Sequence, residues 1–110
     1  MGKSKIQTYL GFCIRAGHII YGVDDIKKQK SGIYLLLVDE ALGKSSLKGV
    51  IKAKEKLACK MYIAEKDYLG NLLYNPAVKV VGIKDKNLAN AILTYIDSEA
   101  QFKSYSGGTN

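Results

Sequence analysis

At 110 residues, with 47% hydrophobic and 25% charged side chains, the chain is long enough for one domain with its own core, which excludes disorder and low complexity. Its 17 Lys and Arg against 10 Asp and Glu give a net charge of +7, the character of a partner for phosphate-rich molecules. No apolar run approaches the roughly 18 residues of a membrane span, and MGKSKIQTYL lacks the apolar core of a signal peptide, so no membrane role is expected.

From Ser4 to Gly17, Ile6, Tyr9, Leu10, Cys13 and Ile14 recur at helical spacing, with Ser4 as N-cap and Gly17 as the stop. Ile19 to Tyr21 reads as a short strand, and Gly22 to Lys30 as a helix with acid in its first turn and base in its last. Ile33 to Val38 is a continuous apolar run, the pattern of a central strand covered on both faces. Ser45 to Cys59 predicts a helix capped by Ser45. It turns Leu47, Val50, Ile51, Leu57 and Ala58 inward and Lys44, Lys48, Lys52 and Lys56 outward in one slanting stripe. Lys60 to Ala64 is a strand, Asp67 to Tyr74 a short helix, Asn75-Pro76 a turn, and Ala77 to Ile83 a strand. Asp85 caps a final helix through Ile96, with Leu88, Ala91, Ile92 and Tyr95 inward. The alternation predicts a single α/β domain over residues 1–100, and a polar, flexible tail over 101–110.

Few residues suggest catalysis. Gly43-Lys44-Ser45 follows a strand, but a P-loop needs glycine where Val38 stands. His18 is the lone histidine, and Cys13 falls on an apolar helix face, so a nucleophile–base pair is not expected. Cys13 and Cys59 form no disulfide framework and, with one histidine, no zinc pattern. No metal or cofactor is expected, and the reducing cytosol is the expected compartment.

The stretch YGVDDIKKQK is more informative. Gly22 leaves the following backbone unobstructed, Asp24 and Asp25 project from the first turn, and Lys28 lies four residues beyond Asp24 on the same face. Together with VDEA and with KDYLGNLLYNPAVKVVGIKDKNLANAI, the run LGFCIRAGHIIYGVDDIKK resembles the ribosomal protein L-seven-Ae/L-thirty-e family, in particular its small stand-alone bacterial members. The resemblance spans about residues 4 to 97. It implies a three-layer α/β/α sandwich with a mixed, roughly four-stranded sheet, and a non-enzymatic protein that binds kink-turn RNA. Gly22 and Lys28 match the family signature, whereas Asp25 stands for Glu and Asp24 for Asn. An ionised Asp24 can accept but not donate a hydrogen bond.

The resemblance further implies that Leu73, Tyr74 and Val78 cover an extruded base, and that Asp39 and Glu40 adjoin the RNA-facing loop. Lys27, Lys28, Lys30 and Lys44 would flank phosphates. The implied partner is structured RNA, ribosomal or in an mRNA leader, with ribosomal components nearby and the chain acting as a monomer. The alternative is a protein-interaction module on the same fold, retaining only non-specific affinity for RNA.

Overall fold

The structure is a computed structural model that describes residues 4–105. Five helices and five strands alternate along the chain: α1 Lys5–Ala16, β1 Ile19–Tyr21, α2 Val23–Lys28, β2 Leu35–Asp39, α3 Lys44–Leu57, β3 Lys60–Ala64, α4 Tyr68–Leu72, β4 Val80–Ile83, α5 Lys86–Ile96 and β5 Phe102–Tyr105. The strands form one mixed sheet in the order β1-β4-β2-β3-β5. Only β2 and β3 run parallel; the other three pairings are antiparallel.

Side chains alternate across a strand, and β2 divides its apolar run accordingly. Leu35 and Leu37 enter the core under α1, α4 and α5, built on Ile6, Leu10, Leu69 and Ile92. Leu36 and Val38 enter the opposite core with Ile26 of α2 and Val50 of α3. All five β2 residues are buried, as expected for a central strand, although the strand begins at Leu35 and Tyr34 of the apolar run is 41% exposed. Helices therefore cover both faces, and the chain is a three-layer α/β/α sandwich. On β4, Gly82 admits a close approach: a Cβ there would lie 2.9 Å from Ile20 Cγ2 and 3.1 Å from Ile33 Cδ1.

Local signals set the ends of the first and last helices. The Ser4 hydroxyl accepts from the Gln7 amide, Gly17 closes α1 in the left-handed region at φ 72°, and the Asp85 carboxylate accepts from the Leu88 amide. Three expectations need correction. The sheet has five strands, not four, and the fifth lies inside the expected tail: β5 pairs antiparallel with β3 and buries Phe102. Of the segment 101–110, residues 106–110 lie outside the described residues. Helix α3 starts at Lys44 with Gly43 as its N-cap, so Ser45 is helical rather than capping, while Ala58 is an exposed left-handed C-cap and Ala53 is the buried alanine. On α5 the buried positions include Ala89 and Ile96, which the spacing did not single out; Ile92 is buried, and Leu88 and Tyr95 pack half-buried against the same core, as expected, with Ala91 half-buried.

Candidate nucleic-acid interface

The carboxyl ends of β1 and β2 lie beside the start of β4, since Tyr21 pairs with Val81 and Val38 with Val80. The register gathers Gly22, the 73–79 loop and the Asp39-Glu40 pair at one end of the sheet. At Gly22 the chain turns with φ 88°, a region that side chains rarely adopt, and its amide donates to the Val80 carbonyl at 3.2 Å. The first turn of α2 is anchored by fully buried Ile26, which directs Asp24, Asp25, Lys27 and Lys28 to solvent. Neither α2 nor α3 has a side-chain cap at its start. Between these two helix starts lies an open groove of about 580 Å³, lined by Gly22, Asp24, Asp25 and Lys27 with Tyr21, Val23, Ser45 and Ser46.

The structure divides the expected site residues. Gly22, Asp24, Asp25 and Lys27 share the groove, with Lys28 exposed on the same helix. Lys28 Nζ lies 4.0 Å from Asp25 Oδ1, so the ion pair joins Lys28 to Asp25 rather than to Asp24. Lys30 and Lys44 are exposed but line neither this groove nor the neighbouring one along α3.

Asp39 is a correction. It is 1% exposed and accepts from the Ala41 amide at 2.7 Å and the Asp67 amide at 2.8 Å, with Lys79 Nζ 3.7 Å away. Its carboxylate holds loops together from inside the fold. Glu40 is exposed, accepts from the Lys66 amide at 3.0 Å, and lines a different concavity with Glu65, Lys66 and Lys103. Lys79 also bonds Asp67 at 3.2 Å, and that hydrogen bond, then Asp39, pushes its pKa up against the opposing effect of desolvation.

Leu73 and Val78 are mostly buried in the core beneath α1, α4 and α5, although Leu73 still lines the open groove beside Tyr74. Their burial follows from how tightly the loop sits. The Asn75 amide donates to the Gly70 carbonyl at 2.9 Å, and a Cβ at Gly70 would approach Asn75 O and Pro76 Cα to 3.0 Å. Of Leu73, Tyr74 and Val78, Tyr74 alone projects outward, 82% exposed and held at φ 54°. It lines a groove of about 260 Å³ with Gln7, Ile14 and Arg15 of α1.

Residues not expected at the site are Ser45, Ser46, Lys48, Lys52 and Lys56; their legible signal was the four-residue lysine spacing. Elsewhere the chemistry is quiet. Burial, then Asp85, pushes the Cys13 thiol up to about 11, the opposite of what activates a thiolate. His18 Nε2 lies 3.9 Å from Asp85 Oδ2 on the surface. Among the described residues no group of three or more His, Cys, Asp or Glu could hold a metal, and no helix is long and apolar enough to cross a membrane.

No family model matches the chain, and no curated protein matches it. Among solved structures it is similar to that of a protein with unknown function from Bacillus halodurans C, at TM-score 0.76 and 19% identity, covering 86% of this chain and 99% of that one. At that identity the likeness speaks for the fold.

Proposed function

We propose that this chain is a non-enzymatic RNA-binding protein that docks on a sharply kinked internal loop in ribosomal or regulatory RNA, as a monomer in the cytosol. The observation that carries the reading is the groove between the starts of α2 and α3. There Gly22 keeps the backbone open, and Asp24, Asp25 and Lys27 stand together at the rim of a chain with net charge +7. Carboxylates accept from guanine N–H edges, lysines neutralise the adjoining phosphates, and exposed Tyr74 offers a ring for an unstacked base. Only a bent RNA presents both surfaces together, so the protein selects that shape from the RNA ensemble.

The test is a titration against a kink-turn RNA and a control whose sheared G·A pairs are replaced by Watson–Crick pairs, at about 50 and about 200 mM salt. Tighter binding of the kinked RNA at both salts supports the reading; equal, weak binding that vanishes at higher salt refutes it. Replacing Asp24→Asn removes a negative charge beside phosphate and adds a donor. It is expected to tighten kinked-RNA binding several-fold, by about 1 kcal/mol. The groove of Ile14 and Tyr74, 43% and 82% exposed, favours the second reading, a protein-interaction module. Under that reading Asp24→Asn changes little.

A further inference from the structure

Lys48, Lys52 and Lys56 follow one another at four-residue steps along α3, and all are exposed. Each step rises about 6 Å, so the three ammonium groups are carried on about 12 Å of helix. Facing them is Lys27 of α2, brought close because Gly49 has no side chain: a Cβ there would lie 3.2 Å from Lys27 Cδ and 3.5 Å from Val23 Cγ1. The helices enclose a groove of about 400 Å³ whose lining contains all four lysines and no carboxylate. Lys56 Nζ donates to the Lys27 carbonyl at 3.0 Å, satisfying a terminal carbonyl of α2 and holding the groove's far end. Four like charges along one concavity repel one another, and a polyanion relieves that repulsion while releasing its own counterions.

The groove is also continuous with the one at Gly22, sharing Lys27 and Ser45 with it. We infer that it carries the phosphate backbone of the RNA helix flanking the kinked loop, one strand leaving the Gly22 groove and running along α3. The inference rests on the RNA reading above. The roughly 12 Å over which Lys48, Lys52 and Lys56 are carried offers about one cation to each of about three successive phosphates on one strand. The site so extended has two parts, a shape-reading end at Gly22 and a sequence-blind track along α3.

Two triple variants of equal charge test it. One replaces Lys48→Gln, Lys52→Gln and Lys56→Gln in the groove. The other replaces Lys5→Gln, Lys84→Gln and Lys86→Gln, exposed lysines that line neither groove. Each is titrated across salt against kinked RNA with a long or a trimmed flanking helix, and against the Watson–Crick control. The groove variant is expected to reduce the slope of log K on log salt by about two and to lose the affinity gained from the longer helix. Its preference for kinked over control RNA persists, and the second variant keeps both slope and length dependence. Equal effects of the two variants, or an unchanged slope in the groove variant, would overturn the track. If the native chain itself fails to prefer kinked RNA, the RNA reading fails and the track with it, an outcome visible before any variant is made.

Discussion

At Asp39 two backbone N–H groups from different loops, those of Ala41 and Asp67, converge on one carboxylate that is 1% exposed. Replacing Asp39→Ala strands both donors and leaves Lys79 with Asp67 alone. The expected cost is about 2–4 kcal/mol, read from the urea midpoint, with Asp39→Asn recovering part of it. A loss below about 1 kcal/mol would mean that water takes over the two amides. This role was hidden in the sequence, because VDEA shows only an acidic pair after a strand, while one of the amides it serves lies 28 residues on. The caps Ser4 and Asp85 were legible because each bonds an amide three residues ahead. The burial of Leu73 and Val78 was hidden for the same reason: the fold of the loop onto Gly70 turns them inward, and no local pattern records it.

Among the elements, the long periodic ones were the legible ones. Helices α1, α3 and α5 and the strands β2 and β3 follow from apolar spacing, and the two-sided burial of β2 from its unbroken run. Strand β5 was not, because of FKSY only Phe102 is buried and Lys103 and Ser104 are exposed, so it shows no apolar run. Its contribution is large nonetheless. Phe102 packs edge-on against Tyr68 at 5.5 Å between ring centroids, and β5 covers the outer edge of β3. A chain ending at Ala100 is expected to lose at least about 3 kcal/mol, the scale of deleting a buried Phe, and to associate through the bared edge of β3. Thermal melting and size-exclusion chromatography measure both effects. An unchanged melting temperature would show that the four residues only decorate the sheet.

At the scale of the molecule, the shifts in proton affinity among the described residues share one sign. Burial raises the acidic groups Cys13, Cys59, Tyr21, Tyr62 and Tyr68, with Asp97 adding to Tyr62 and Glu99 to Tyr68, and the bond to Asp67 raises Lys79. In each case the folded state holds the proton more tightly than the unfolded chain. The resulting stability is complete below the ordinary thiol value of 9.0 and is lost as pH climbs through the folded values, about 11 for Cys13. Urea midpoints are therefore expected to hold steady from neutrality to about pH 8.5 and then fall; a flat profile to pH 11 would contradict the linkage. At this scale the net charge and the layered α/β class were plain in the sequence, whereas which lysines share a groove depended on how α2 meets α3. The strand order β1-β4-β2-β3-β5 has a consequence in time. On a chain made from its N-terminus, β1 emerges early yet has no neighbour until β4 exists, and β3 keeps an open edge until β5 is made. Neither rim of the sheet closes by a local hairpin. Folding waits on pairings between distant stretches of chain, and a nascent chain that stalls between β4 and β5 carries a finished groove on an unfinished sheet.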